Sequence, residues 1–165
     1  AYNQCDALNR AVFELAPDAE MMTWDITALG LPATQLPFAQ GTFRQHLEIP
    51  GVWLERGTLD AQDSRLMNSP LGLAGHRCMA TLVFAAGSAI AAERSESALA
   101  CAREALEASP LRLSAGATSP HPQVIVVRVL SPLTEPAVQV LRQIWAQWRA
   151  ALWDMPGTLP RIWNM

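Results

Sequence analysis

Apolar and polar positions alternate along much of the first sixty residues. In "NRAVFELAPDAEMMTWDIT" (9–27), two such runs flank Pro17-Asp18, and they read as two strands joined by a turn. In the second run Met22, Trp24 and Ile26 alternate with Thr23, Asp25 and Thr27. A period of two puts the apolar set on one face and the polar set on the other, as in a sheet with one wet side. "GLPATQLPFAQG" (30–41), broken by two prolines, reads as a loop. "TFRQHLEIPGVWLERGTL" (42–59) reads as a hairpin around Pro50-Gly51. A tight, even-numbered loop there pairs residues whose numbers sum to 101, so that Leu47 faces Leu54 and Ile49 faces Val52. On the other face His46 then lies opposite Glu55, with Arg44, Glu48 and Trp53 alongside. A three-residue loop would shift the register and weaken that pairing.

The pattern changes after "NSPLGLAGHRC" (68–78). Met79, Thr81, Val83 and Ala85 alternate with Ala80, Leu82, Phe84 and Ala86, and both sets are mostly apolar. Such a strand is central and covered on both sides. Ser95 can cap a helix over 96–108 with Leu99, Ala102 and Leu106 on one stripe, ended by Pro110. "LRLSAG" and "QVIVVRVL" read as strands. Thr134 then caps a long helix over 135–153 with Pro136 in its first turn. Val138, Leu141, Trp145, Trp148 and Leu152 form its buried stripe. "PGTLPRIWNM" closes the chain without periodicity, and Trp163 is placed to pin it. The expectation is an α+β, β-rich protein. Residues 1–75 form a β-rich lobe of layered, mostly antiparallel strands. Residues 76–165 form a strand-helix-strand-strand-helix lobe with both helices on one face and an irregular tail.

Composition narrows the function. The net charge is −3, and all twelve cationic residues are arginines scattered among fifteen carboxylates. No concentrated basic face can be read, which argues against nucleic acid as a partner. No run of about 18 apolar residues exists, so no membrane span is expected; no secretory leader is visible, and a piece of a longer protein would look the same at its start. Cys5, Cys78 and Cys101 are odd in number and far apart, which fits a reducing, cytoplasmic compartment better than a disulfide framework or a structural zinc site.

Three groups could carry chemistry. His76 and Cys78, two apart on a strand, share a face and suggest a small cysteine-dependent hydrolase. No orienting group or oxyanion donor can be assigned to them, and a polar strand entrance with a buried thiol is the simpler reading. His121, between prolines in "SPHPQ", reads as a rigid turn residue. His46 with Glu55 offers imidazole and carboxylate, a set suited to nickel or zinc but at most a partial site; a cross-strand ion pair on a solvated sheet face is the simpler reading.

The motifs "LAPDAEMMTWDITALGLPA", "GTFRQHLEI", "WLERGTLDAQDSRLMNSPLGLAGHRCMATL", "VVRVLS" and "PRIWNM" together resemble the UreD (UreH) family of urease accessory proteins over nearly the whole chain. Two departures stand out. The family's "GRP" is "GLP" here at Gly30-Leu31-Pro32, and the "GGxxxGD"-type segment of its first half is absent. The chain therefore resembles the C-terminal portion of that family, and exposed sheet edges would favour self-association. The resemblance implies a strand-rich body with two helices and no catalysis. It implies no tightly bound cofactor, but transient contact with nickel on its way into apo-urease. The implied partners are the urease subunits, UreF and, through UreF, the GTPase UreG; a purely structural subunit without metal traffic is the other non-enzymatic reading. Asp25 and Glu55 lie in matching segments and, with His46, are the candidate residues of a weak, wet metal path.

Overall fold

A computed structural model describes residues 1–164. In chain order its strands are β1 (Cys5–Val12), β2 (Glu20–Ala28), the short β3 (Gly30–Leu31) and β4 (Leu36–Pro37), β5 (Gly41–Ile49) and β6 (Trp53–Asp60). There follow α1 (Ser64–Asn68), β7 (Cys78–Ala86), α2 (Ala92–Glu107), β8 (Ala115–His121), β9 (Val124–Ser131) and α3 (Thr134–Trp153). The expected β-rich α+β class is what forms, with most strand pairs antiparallel.

Two sheets face each other. One has the order β1-β5-β6, the other β2-β7-β9-β8, and α2 and α3 cover the outer face of the second. β7 lies inside its sheet, and its two apolar faces serve two cores. Leu82 and Phe84 meet the helices together with Leu141, Ile144 and Trp148. Val83 and Ala85 meet Leu47, Ile49 and Trp53 of the other sheet. A third cluster, Leu29, Phe38, Phe43, Met67 and Leu73, fills the far end of the gap between the sheets. β2, from the first 75 residues, is an edge strand of the sheet that carries β7, β8 and β9, so the two stretches of chain share a sheet.

The two strands flanking Pro17-Asp18 do not pair with one another. β2 joins β7, whereas β1 pairs in parallel with β5, Cys5 opposite Gly41 and Asn9 opposite Gln45. The chain leaves one sheet after β1, runs β2 through the other, and returns beside β1 as β5, the crossover that parallel neighbours require. This routing also corrects the wet side expected for β2. Met22, Trp24 and Ile26 pack under the helices, and Thr23, Asp25 and Thr27 point at the other sheet. Thr27 is buried and Asp25 half-buried.

The hairpin register is one residue from the even-loop expectation. Ile49 pairs with Trp53 around a three-residue turn, with Gly51 at φ +75° and the Val52 amide donating to the Ile49 carbonyl at 2.9 Å. Leu47 therefore faces Glu55, and His46 faces Arg56. A slip of one turns every side chain of β6 to the other face. Trp53 goes inward at 8% exposure and Leu54 outward at 49%. Tryptophan brings the larger apolar area to the core, so this register removes more surface from water.

Smaller differences lie at element ends. α2 starts at Ala92, a turn before the expected Ser95 cap, and Ser95 donates its amide to the Ala91 carbonyl inside the helix. Thr134 is the first residue of α3, whose N-cap position is Leu133 with no side-chain cap. Only the end of "LRLSAG" is strand; Leu113 stands 92% exposed in the turn before β8. α1 is a short helix in a stretch with no apolar periodicity. Asp63 caps it, its carboxylate accepting the Leu66 amide at 2.9 Å.

Candidate functional site

Side chains in the gap between the sheets are apolar at both ends and polar across the middle. The middle row of one sheet runs Asp25 on β2, Thr81 on β7, Arg128 on β9 and Gly116 on β8, each opposite the next in register. The facing row of the other sheet runs Asn9 on β1, Gln45 on β5 and Gly57 on β6. Glu55, two residues before Gly57 and on the same face of β6, reaches across to Thr81 and Arg128. The result is a polar belt separating the cluster around Trp53 from the cluster around Phe43.

Hydrogen bonds cross-link the belt. Asp25 accepts from the Asn9 amide at 2.5 Å, the Thr27 hydroxyl at 3.2 Å and the Gln45 amide at 3.4 Å. These donors are neutral, so they orient the carboxylate without cancelling its charge. Thr81 donates to Glu55 Oε1 at 3.1 Å. The other oxygen of Glu55 takes Arg128 Nε at 2.8 Å and Nη2 at 2.7 Å. Gln45 is only 5% exposed, and its carbonyl oxygen is buried without a hydrogen-bond partner. An orphaned buried acceptor beside a carboxylate is costly, and it is the kind of oxygen a cation or a water satisfies.

Two cavities flank Thr81. One, of about 120 Å³, is lined by Asp25, Thr23, Leu47 and Trp53 among others. The other, about 350 Å³, is lined by Glu55, Arg128, Gly116, Leu73 and Leu130 among others. Asp25 and Glu55 thus lie in one layer, tied through Thr81.

His46 is not part of that layer. It stands on the outer face of β5, its Nε2 2.7 Å from Glu48. The expected His46–Glu55 pair does not form, because the three-residue turn sends Glu55 inward. Among the described residues no three His, Cys, Asp or Glu side chains converge as a metal-holding group. A closed metal centre is absent from them; the belt is an open row of carboxylate, hydroxyl and amide groups with Arg128 near one edge.

The thiol near His76 has the surroundings of a structural group. Cys78 is 1% exposed, and burial pushes its thiol up, away from the thiolate a nucleophile needs. Arg77 stitches this strand entrance to α1, donating to the Met67 carbonyl at 3.2 Å and to Asn68 at 2.8 Å. His121 ends β8 beside the Pro122-Gln123 turn, its Nδ1 3.3 Å from the Gln123 amide.

Sequence reasoning missed Asn9, Gln45, Thr81 and Arg128. The signal was present: Thr81 and Arg128 are the polar intrusions in "MATLVFAA" and "VIVVRVL", and each falls on the inward period of its strand.

The family model described as UreD urease accessory protein matches residues 1–164. Among curated proteins, the urease accessory protein UreD of Polaromonas naphthalenivorans is 58% identical over 164 residues, and that of Variovorax paradoxus 56% over 162. That of Leptothrix cholodnii is 45% identical over 164 residues. These alignments cover 98–99% of this chain and 59% of each relative. The chain spans about three-fifths of the length of the curated relatives it matches.

Proposed function

The chain belongs to the UreD family of urease accessory proteins, and on that footing we propose that it serves as a non-catalytic scaffold through which nickel is handed to apo-urease, working with UreF and the GTPase UreG in the cytoplasm. The observation that carries the metal part of this reading is the polar belt: two carboxylates, Asp25 and Glu55, and an unpaired Gln45 carbonyl across the middle of a gap whose two ends are apolar.

Nickel is cargo here, and a cargo site must release. Carboxylate and amide oxygens bind a borderline divalent ion loosely, whereas imidazole and thiolate sets hold it firmly. The belt supplies only oxygens, and His46 and Cys78 lie outside it. Asp25 is held by neutral donors with no cation of the described residues paired to it, and Thr81 positions Glu55 toward the same layer. Apolar clusters bound the belt on either side. No helix of the described residues is long and apolar enough to cross a membrane.

The test is isosteric neutralisation in the full-length protein, Asp25→Asn and Glu55→Gln, with UreF binding and melting temperature followed alongside. The expected result is intact folding and UreF binding with a reduced nickel complement in the urease produced. Urease with its full nickel complement from both variants would refute the reading.

A further inference from the structure

The belt changes character at its β6–β9 edge. At the β1–β2 edge, Asp25 is held by amide and hydroxyl groups. At the other edge, Glu55 is held by a cation: two nitrogens of Arg128 converge on the same oxygen, leaving the second for Thr81. Arg128 is the charged residue in a β9 inward row otherwise represented by buried Val124 and Val126.

Beyond Arg128 both sheets give up their side chains. The next position across is Gly116 on β8, and the corresponding end of the facing row is Gly57 on β6. A Cβ placed on either glycine would meet no atom within 4 Å. Neither glycine has a positive φ, so backbone conformation does not demand them. They leave the edge open, and the 350 Å³ cavity sits there with Glu55, Gly116 and Arg128 in its wall. The Arg128 side chain is 50% exposed and that of Glu55 20%, so the guanidinium stands on the solvent side of the carboxylate.

We propose that Arg128 is an electrostatic latch at this mouth. It neutralises Glu55, repels cations from the opening, and gives way when a divalent ion takes its place on the carboxylate. The inference rests on the belt being a cation passage, as proposed above. The exchange is one of ion pairing only: no covalent bond forms or breaks and no proton is transferred. Opening therefore means that the side chain swings outward, where half of it already lies in water. A half-exposed pair is weak, and a doubly charged competitor has the stronger attraction for one carboxylate.

The experiment is a nickel(II) titration by calorimetry on the full-length protein. Its variants are Arg128→Gln, Arg128→Lys, Glu55→Gln, Asp25→Asn and the double change Arg128→Gln with Glu55→Gln, each checked for its melting temperature. Arg128→Gln is expected to bind nickel about two- to ten-fold more tightly than the parent, the range an ion pair of this exposure supports. The gain should vanish in the double variant. Should Arg128→Gln fail to fold, Arg128→Lys decides, because an ammonium keeps the charge but not the two-nitrogen grip and should give a smaller gain in the same direction. Unchanged or weaker binding in the Arg128 variants, with weaker binding in Asp25→Asn and Glu55→Gln, would overturn the latch and leave the passage standing. Nickel binding indifferent to Asp25 and Glu55 as well would overturn both.

Discussion

Trp148 is the residue whose removal tests the packing most directly. It is fully buried on α3, its Nε1 donates to the Ala98 carbonyl on α2 at 2.9 Å, and its ring meets Phe84 of β7 edge-on at 6.3 Å. One side chain thus joins both helices to the sheet. Truncating a buried tryptophan to alanine costs about 3–5 kcal/mol, through lost transfer free energy and the cavity left behind. Against a typical domain stability of about 5–15 kcal/mol, that is a large fraction. A domain of this size loses roughly 2–4 °C per kcal/mol, so Trp148→Ala should melt about 6–20 °C lower. Trp148→Phe keeps most of the apolar area and loses the N–H donor, so it should cost about 1 kcal/mol for the hydrogen bond plus part of the void. The Ala98 carbonyl lies inside α2, which moderates that loss. The assay is thermal melting by near-ultraviolet circular dichroism, with urea titration to obtain the free energies. An unchanged melting temperature for Trp148→Ala would refute the assignment of this stripe to the core.

Glu20 accepts Arg94 at 2.6 and 3.2 Å and the Trp153 indole at 2.6 Å, clasping β2 to α2 and the end of α3. The hydrogen bond from Arg94, then that from Trp153, holds its carboxyl below the ordinary value of 4.5 in spite of partial burial. A depressed acid stabilises above its unfolded pKa and ceases to do so as pH falls through the folded one. Glu20→Gln should therefore lower the melting temperature at pH 7 and flatten its decline below about pH 4.5, and a parallel acid decline in parent and variant would contradict this. Gly87→Ala should destabilise by about 1–3 kcal/mol in urea titrations, because overpacking forces the backbone to move; a new Cβ there would stand 1.7 Å from the Ala16 carbonyl oxygen. Leu54→Glu should be tolerated within about 0.5 kcal/mol and Trp53→Glu should not fold, the reverse of what the even-loop register requires; equal stabilities would leave neither register supported.

How much was legible in the sequence depended on the range of the interaction. β7 could be placed at the centre of a sheet because both of its faces are apolar and no covering but two layers suits such a strand. α3 and its Leu141–Trp145–Trp148 stripe followed from helical spacing, since three- and four-residue steps fix which side chains share a face. Asp25 and Glu55 could be picked out as polar residues in strands. Periodicity says which residues share a face and is silent on what covers it. The polar face of β2 meets a second sheet instead of water because β5, not β2, becomes the neighbour of β1, a parallel pairing between segments some 36 residues apart. Glu55 faces inward and His46 outward because a three-residue turn at Pro50-Gly51-Val52 lets Trp53 reach the core. Those two tertiary choices assembled the belt from Asn9, Asp25, Gln45, Glu55, Thr81 and Arg128 and left the histidine outside it.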